Sequence, residues 1–405
     1  MTSLHTRLRR RSIVATIIAA LLSACATSNP VQVAAPQDPA VAEEARKQSD
    51  LAIRQEVAEF SRLQALFWPL TLAAAPLCPN RIAGSIGPAP GSLIGIRDAN
   101  RPALRKLLGM EERLTFTELV EGTPAVKAGI QPGDVLIAVD GQAVPVSRDA
   151  SKLYVDKLNQ AAKRDAPVTF QLERKGTPLT LVVPVQKVCA VAAIPLAVDS
   201  VTAFAVGRGV LVTRGMMRFA DDRELAIVMA HEIAHIALGH THTKKQPDNK
   251  PSFDMQARTI PMPPSEPAPK PAPQQRELEA DAVGLYLMAA AGLPIQDAAN
   301  LWRRIAANYP ATIQSSHLRT HPASPERFIE LERTVKELGQ VMASGQPLVA
   351  RLKDGKYTAA LVPVLPAGPW QVVTLTDRYA SPLAPAVSVR AATGEPAVNT
   401  AAALR

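Results

Sequence analysis

The chain has 405 residues, of which 47% are hydrophobic and 36 are proline, with a formal net charge of +9. That length leaves room for two or three domains, the apolar content suffices for true cores, and the prolines call for extended linkers. Four of the nine net positive charges sit on Arg7, Arg9, Arg10 and Arg11, and no Lys/Arg cluster is interleaved with aromatics, so nucleic acid is excluded as a partner.

Residues 1–25 read as an export signal: the arginines form a positive n-region, and Ile13 to Leu22 is an apolar run too short to span a bilayer comfortably. The end, Leu22-Ser23-Ala24-Cys25, looks like a bacterial lipobox. That resemblance implies a lipid-modified Cys25 anchoring the protein in the membrane. Ala26 in place of Asp implies the outer membrane, facing the periplasm. An ordinary secretory signal with an incidental cysteine is the alternative. Residues 26–80 hold a Pro/Ala-rich tether and then an amphipathic helix from Val41 to about Trp68, with Leu51, Val57, Phe60, Leu63 and Leu66 at helical spacing. It is expected to pack on a neighbouring domain; its polar face mixes both charge signs, which disfavours a membrane-surface role.

Residues 82–187 form a β-rich unit. The run Glu118 to Gly141 has a strand, a Gly122-Thr123-Pro124 turn into a short helix, a Pro132-Gly133-Asp134 turn, and an apolar strand ending in Asp140-Gly141. This run resembles the PDZ domain of bacterial proteases. The resemblance implies that Ser92-Leu93-Ile94-Gly95-Ile96 is a loop whose backbone N–H groups hold a peptide C-terminus, with the next strand pairing to the peptide. A PDZ fold that only braces its neighbour is the alternative. Thr169 to Val185 supplies closing strands. With Cys25 assigned to lipid, Cys78 and Cys189 remain as a pair flanking this unit. In an oxidising compartment they are expected to form a disulfide, the alternative being two buried free thiols.

The unit at 195–343 is organised around Ala230-His231-Glu232-Ile233-Ala234-His235. Two histidines four apart on a helix share a face and can grip one metal ion, with Glu232 placed to act on water beside it. Zinc, one ion per chain, is the default for two histidines and a carboxylate with an open position. Asp221, Asp222 and Glu224 suit the helix start, Leu225, Val228, Met229 and Ile236 its buried stripe, and Gly239 its end. The third ligand comes from Glu277-Leu278-Glu279-Ala280-Asp281, which opens a second apolar helix. Glu277 and Asp281 share a face and Glu279 points elsewhere, so Glu277 is assigned to zinc and Asp281 to the free ring N–H of a ligand histidine. Between the two ligand segments, Lys244 to Gln275 is rich in Pro, Lys, Gln and Ser and reads as a mobile loop rimming the cleft. Helices are expected from Asp297 to about Asn308, with Trp302 in the core, and from Ser324 to about Leu338, with Pro325 in its first turn. Residues 344–405 form a C-terminal extension of open structure.

His231-Glu232-x-x-His235 followed by Glu277-x-Glu279-Ala280-Asp281 resembles the HtpX-like and CAAX-prenyl-protease-like zinc metallopeptidases, and within them the soluble periplasmic BepA-like and Loi-like branch. The resemblance runs from about Ala203 to Glu337. It implies an α+β chain: a mostly helical gluzincin domain with a small sheet, beside the PDZ domain. It also implies that His321 and Arg327, in His321-Pro322-Ala323-Ser324-Pro325-Glu326-Arg327, steady the tetrahedral intermediate, with purely structural roles as the alternative. His321 could further sit on the metal, excluding water, and swing aside when substrate arrives. Val210, Leu211 and Val212 would form an edge strand that aligns an extended substrate, or else pack the core. The expected function is a lipid-anchored zinc metalloendopeptidase acting on unfolded or misassembled envelope polypeptides in protein quality control. A chaperone-like or adaptor lipoprotein that binds peptides with little proteolysis is the second expectation.

Overall fold

The computed structural model describes residues 38–78, 80–241, 274–309, 324–351, 357–361 and 372–374. Cys25, residues 244–273 of the expected loop, and His321 lie outside the described residues. Residues 1–50 form one compact unit, described only from residue 38, and residues 51–405 form the other. Helix α1 runs Pro39–Ala73, longer at both ends than its apolar spacing predicts. Among the described residues no helix is long and apolar enough to cross a membrane.

After α1, strand β1 (Ile82–Ser85) leads into helix α2 (Arg101–Leu108), strand β2 (Glu118–Val120) and the short helix α3 (Pro124–Lys127). Strands β3 (Val135–Val139) and β4 (Gln142–Ala143), helix α4 (Asp149–Lys163), and strands β5 (Val168–Arg174) and β6 (Thr177–Val183) complete the unit. Its antiparallel sheet has the order β4-β3-β5-β6. Phe116, Tyr154 and Phe170 fill the core, with ring centroids 6.1–6.4 Å apart. The Pro132-Gly133-Asp134 turn is held by its aspartate. Buried Asp134 accepts two 2.7 Å bonds from the Arg174 guanidinium and one of 2.9 Å from the Gln131 N–H, so its charge is paired and its oxygens are used. Strand β7 (Gln186–Cys189) pairs with β1, and the expected disulfide joins Cys78 to Cys189 with a Cα–Cα distance of 5.5 Å.

The C-terminal half of the large unit begins with strands β8 (Ala192–Leu196), β9 (Ala203–Val206) and β10 (Gly209–Thr213). Helices α5 (Arg214–Phe219), α6 (Asp222–Ala237), α7 (Gln274–Ala290), α8 (Ala298–Asn308) and α9 (Pro325–Ser344) follow. Strands β11 (Leu348–Arg351) and β12 (Tyr357–Leu361) pair with each other, and β13 (Val372–Thr374) pairs antiparallel with β2. The sheet order is β8-β10-β9. This overturns one expectation: Val210, Leu211 and Val212 lie on the central strand, whose two edges are taken by β8 and β9. With Val210 and Val212 fully buried, the segment is core, and its main chain has no edge to offer a substrate.

Helix α1 braces this domain. Leu63, Leu66 and Leu70 are buried in its core, whereas Leu51 is exposed. The Arg62 guanidinium donates to the Ala220 carbonyl at 2.8 Å and to Asp222 Oδ1 at 2.6 Å, tying the start of α6 to α1. The Arg214 guanidinium donates to both oxygens of buried Glu59, at 2.7 and 3.1 Å.

Candidate metal centre

Helix α6 begins with a reciprocal cap. The Glu224 N–H donates to Asp221 Oδ1 at 2.9 Å, and the Asp221 N–H donates to Glu224 Oε2 at 3.1 Å. From Leu225 to Ile236 every residue is buried. A helix buried on all sides needs a close neighbour, and α7 supplies it. A Cβ on Gly284 would lie 3.1 Å from the His231 nitrogen and 3.2 Å from the Ala230 carbonyl carbon, so the two helices meet backbone to backbone. Glu277, Asp281 and Gly284 stand at i, i+4 and i+7, one face of α7. The glycine contact brings the two carboxylates of that face onto the histidines.

Three donors converge there, and all three residues are buried. His231 Nε2 lies 3.0 Å from His235 Nε2 and 3.4 Å from Glu277 Oε2, and His235 Nε2 lies 3.4 Å from Glu277 Oε1. A tetrahedral zinc ion with Zn–N and Zn–O bonds near 2.0–2.1 Å needs donors roughly 3.3 Å apart, so the donor set fits zinc in both type and spacing. Glu232 is 2% exposed and follows His231 on the same helix.

The backs of the ligands are also filled. His231 Nδ1 is 2.8 Å from Asp281 Oδ1, as the sequence predicts, which leaves Nε2 with its lone pair toward the metal. Burial would raise the Asp281 carboxyl, but Arg327 and then His231 outweigh it and hold it below the usual carboxylate range. Burial would lower His231, but the Asp281 and Glu277 carboxylates hold it above its ordinary value; burial holds His235 below its own.

Arg327 takes the structural alternative, an ion pair, in place of the oxyanion position that the resemblance implies. It is 1% exposed, donates to both oxygens of Asp281 at 2.7 and 2.8 Å, and lies 3.6 Å from Glu277 Oε2. Its guanidinium carbon stacks 4.6 Å from the Trp302 ring centre, and that ring also meets His231 at 5.4 Å. A guanidinium so enclosed orients the ligand shell from behind, in place of the expected position beside an oxyanion.

The PDZ loop differs from expectation in a similar way. The N–H of Leu93 donates to the Glu111 carbonyl at 2.7 Å, that of Ile94 to Ser92 Oγ at 3.0 Å, and that of Ile96 to the Leu93 carbonyl at 3.1 Å. These donors, expected to hold a peptide carboxylate, have acceptors within the protein, two in the loop itself and one at Glu111. The next strand, β2, carries β13 on its edge.

Sequence reasoning missed Gly284 and His240, which lies behind His235 with its Nδ1 3.1 Å from His235 Nδ1, whereas the packing of α1 on this domain was expected. A signal for His240 was present: a glycine after a helix folds the next residue back onto the last turn.

Residues 93–185 match the family model of the PDZ domain, and residues 183–247 and 267–335 match that of peptidase family M48. No curated protein matches the chain. Among solved structures, an HtrA-type protease, AlgW, with a decapeptide is 22% identical over 26% of this chain and 30% of that one, with a TM-score of 0.21. This chain therefore spans less than a third of that protease. The segment holding His231, His235 and Glu277 is a zinc metalloendopeptidase domain of peptidase family M48, and a PDZ domain precedes it.

Proposed function

We propose that this metalloendopeptidase is tethered in the bacterial envelope by lipid on Cys25 and cleaves unfolded or misassembled envelope polypeptides. The observation that carries the envelope assignment is the Cys78–Cys189 disulfide, a bond that persists in oxidising compartments. It agrees with the arginine-rich, lipobox-like N-terminus. The sheet supports the substrate class: β9 is its outermost strand beside α6 among the described residues. An extended chain pairing there is recognised by its main chain, whatever its sequence, and only unfolded polypeptide offers that.

His231, His235 and Glu277 hold the zinc. Bound zinc supplies Lewis acidity, lowering the pKa of a water and polarising the scissile carbonyl. Glu232 takes the proton of the attacking water and returns it to the leaving amine nitrogen. Asp281, itself fixed by Arg327, keeps the His231 proton on Nδ1. His321 is assigned the oxyanion side and the gating position over the metal. The PDZ domain takes a peptide or C-terminus, for which Leu93, Ile94 and Ile96 must exchange their internal acceptors.

Two variants test the reading. Glu232→Gln retains zinc, loses cleavage of an unfolded protein, and traps envelope polypeptides in cells. Cys25→Ser abolishes acyl labelling and membrane retention. Full biological function of Glu232→Gln would instead establish the adaptor reading, and unchanged fractionation with no acyl label on the wild type would refute the anchor.

A further inference from the structure

We propose that Glu279 and His240 form a one-way hydrogen-bond relay that fixes the tautomer and orientation of the ligand His235, making both of them positioning residues for zinc. The proposal rests on His235 being a zinc ligand.

The relay begins with the end of α6. Gly239 adopts φ +70°, a left-handed conformation open to glycine. The Gly239 N–H donates to the Ile236 carbonyl at 3.2 Å, and the His240 N–H to the His235 carbonyl at 2.8 Å. This pair of bonds is a helix cap that seats the residue after the glycine against the residue five before it, where an apolar contact is usual. Here the contact is imidazole on imidazole. The ring centres are 5.2 Å apart and the two Nδ1 atoms 3.1 Å apart.

The other end comes from α7. Glu279 Oε2 lies 3.2 Å from His240 Nε2, with side chains 12% and 4% exposed respectively. Glu279 stands two residues after the ligand Glu277, on the part of α7 facing the end of α6 and away from the metal.

Donor and acceptor chemistry gives the chain its direction. An ionised carboxylate only accepts, so His240 Nε2 carries the proton that reaches Glu279. In a neutral ring, His240 Nδ1 is then a lone pair and accepts from His235 Nδ1–H. His235 Nε2 is left with its lone pair, directed at the metal position. Each link dictates the next, and the reverse order would need a donor on Glu279. Asp281 does for His231 in one step what Glu279 does for His235 through His240. Both ligand histidines are thereby held in the metal-ready tautomer by a carboxylate of α7.

Removing such a partner typically weakens metal binding ~10- to 100-fold. The test uses the full chain, with the zinc dissociation constant measured by competition against a chromophoric chelator. Glu279→Leu and His240→Phe are expected to bind zinc at least ~10-fold more weakly, with the metal still reaching full occupancy at excess. Long-range proton–nitrogen NMR of the histidine-labelled, zinc-loaded wild type reads the tautomers with no variant needed. His235 protonated on Nδ1 and His240 on Nε2 is the expected result. His240 protonated on Nδ1, or both variants within about threefold of wild type, would overturn the relay. A wild type that fails to bind zinc at all would overturn the metal reading beneath it.

Discussion

Replacing Arg327 with methionine separates the position found for this residue from the one its motif implies. In the structure its guanidinium makes both bonds to Asp281 and lies 3.6 Å from Glu277, and these carboxylates are 4% and 0% exposed. The variant would bury two carboxylates deprived of their cation. Breaking a buried pair by removing one partner costs about 3–5 kcal/mol. For a domain of this size that is a fall in Tm of roughly 10 °C. The effect should be largest in metal-free protein, because bound zinc gives Glu277 another cation. Thermal melts with chelator and with zinc measure both states, and a zinc titration reads the loss of orientation at His231. Arg327→Lys should recover only part of the loss, since an ammonium keeps the charge but not the two-bond fork or the stacking on Trp302. A Tm unchanged to within about 2 °C, with zinc affinity intact and kcat reduced ~10²-fold, would refute this reasoning and return Arg327 to the oxyanion.

Gly284→Val places side-chain atoms against the backbone of His231, which cannot yield. A cost of about 1–3 kcal/mol and weaker zinc binding are expected, and an unchanged melt and zinc titration would show that the helices do not need this contact. The Cys78→Ser, Cys189→Ser double variant releases a cross-link between positions 111 apart, and should lose about 2–5 kcal/mol in denaturant titrations, an effect reproduced in the wild type by reductant. Removing residues 362–405 frees the edge of β2 from β13. Binding of a fluorescent extended peptide should then tighten in anisotropy titrations, and no change would exclude β2 as the receiving edge.

The sequence by itself determined the features that depend on spacing within one element. His231 and His235 share a face because helical residues four apart do. The same rule placed Glu277 with Asp281, and the Asp221–Glu224 cap and the Pro132-Gly133-Asp134 turn were legible from local chemistry. The Cys78–Cys189 bridge followed from parity and compartment. What faces each of these groups was decided by tertiary structure. The sequence excluded Glu279 from the metal but could not show that it reaches His240 on another helix. Arg327 carries the same motif whether it faces solvent, substrate or Asp281, and the packing of α9 on α7 chose Asp281. The strand at 209–213 reads identically as edge or centre, because strand order is set by long-range pairing with β8 and β9. Gly284 gave no sign of its role, since a helical glycine acquires meaning only when a second backbone lies against it. Spacing encodes neighbours along one helix or strand, whereas the crossing of two elements depends on contacts that many separate residues make together.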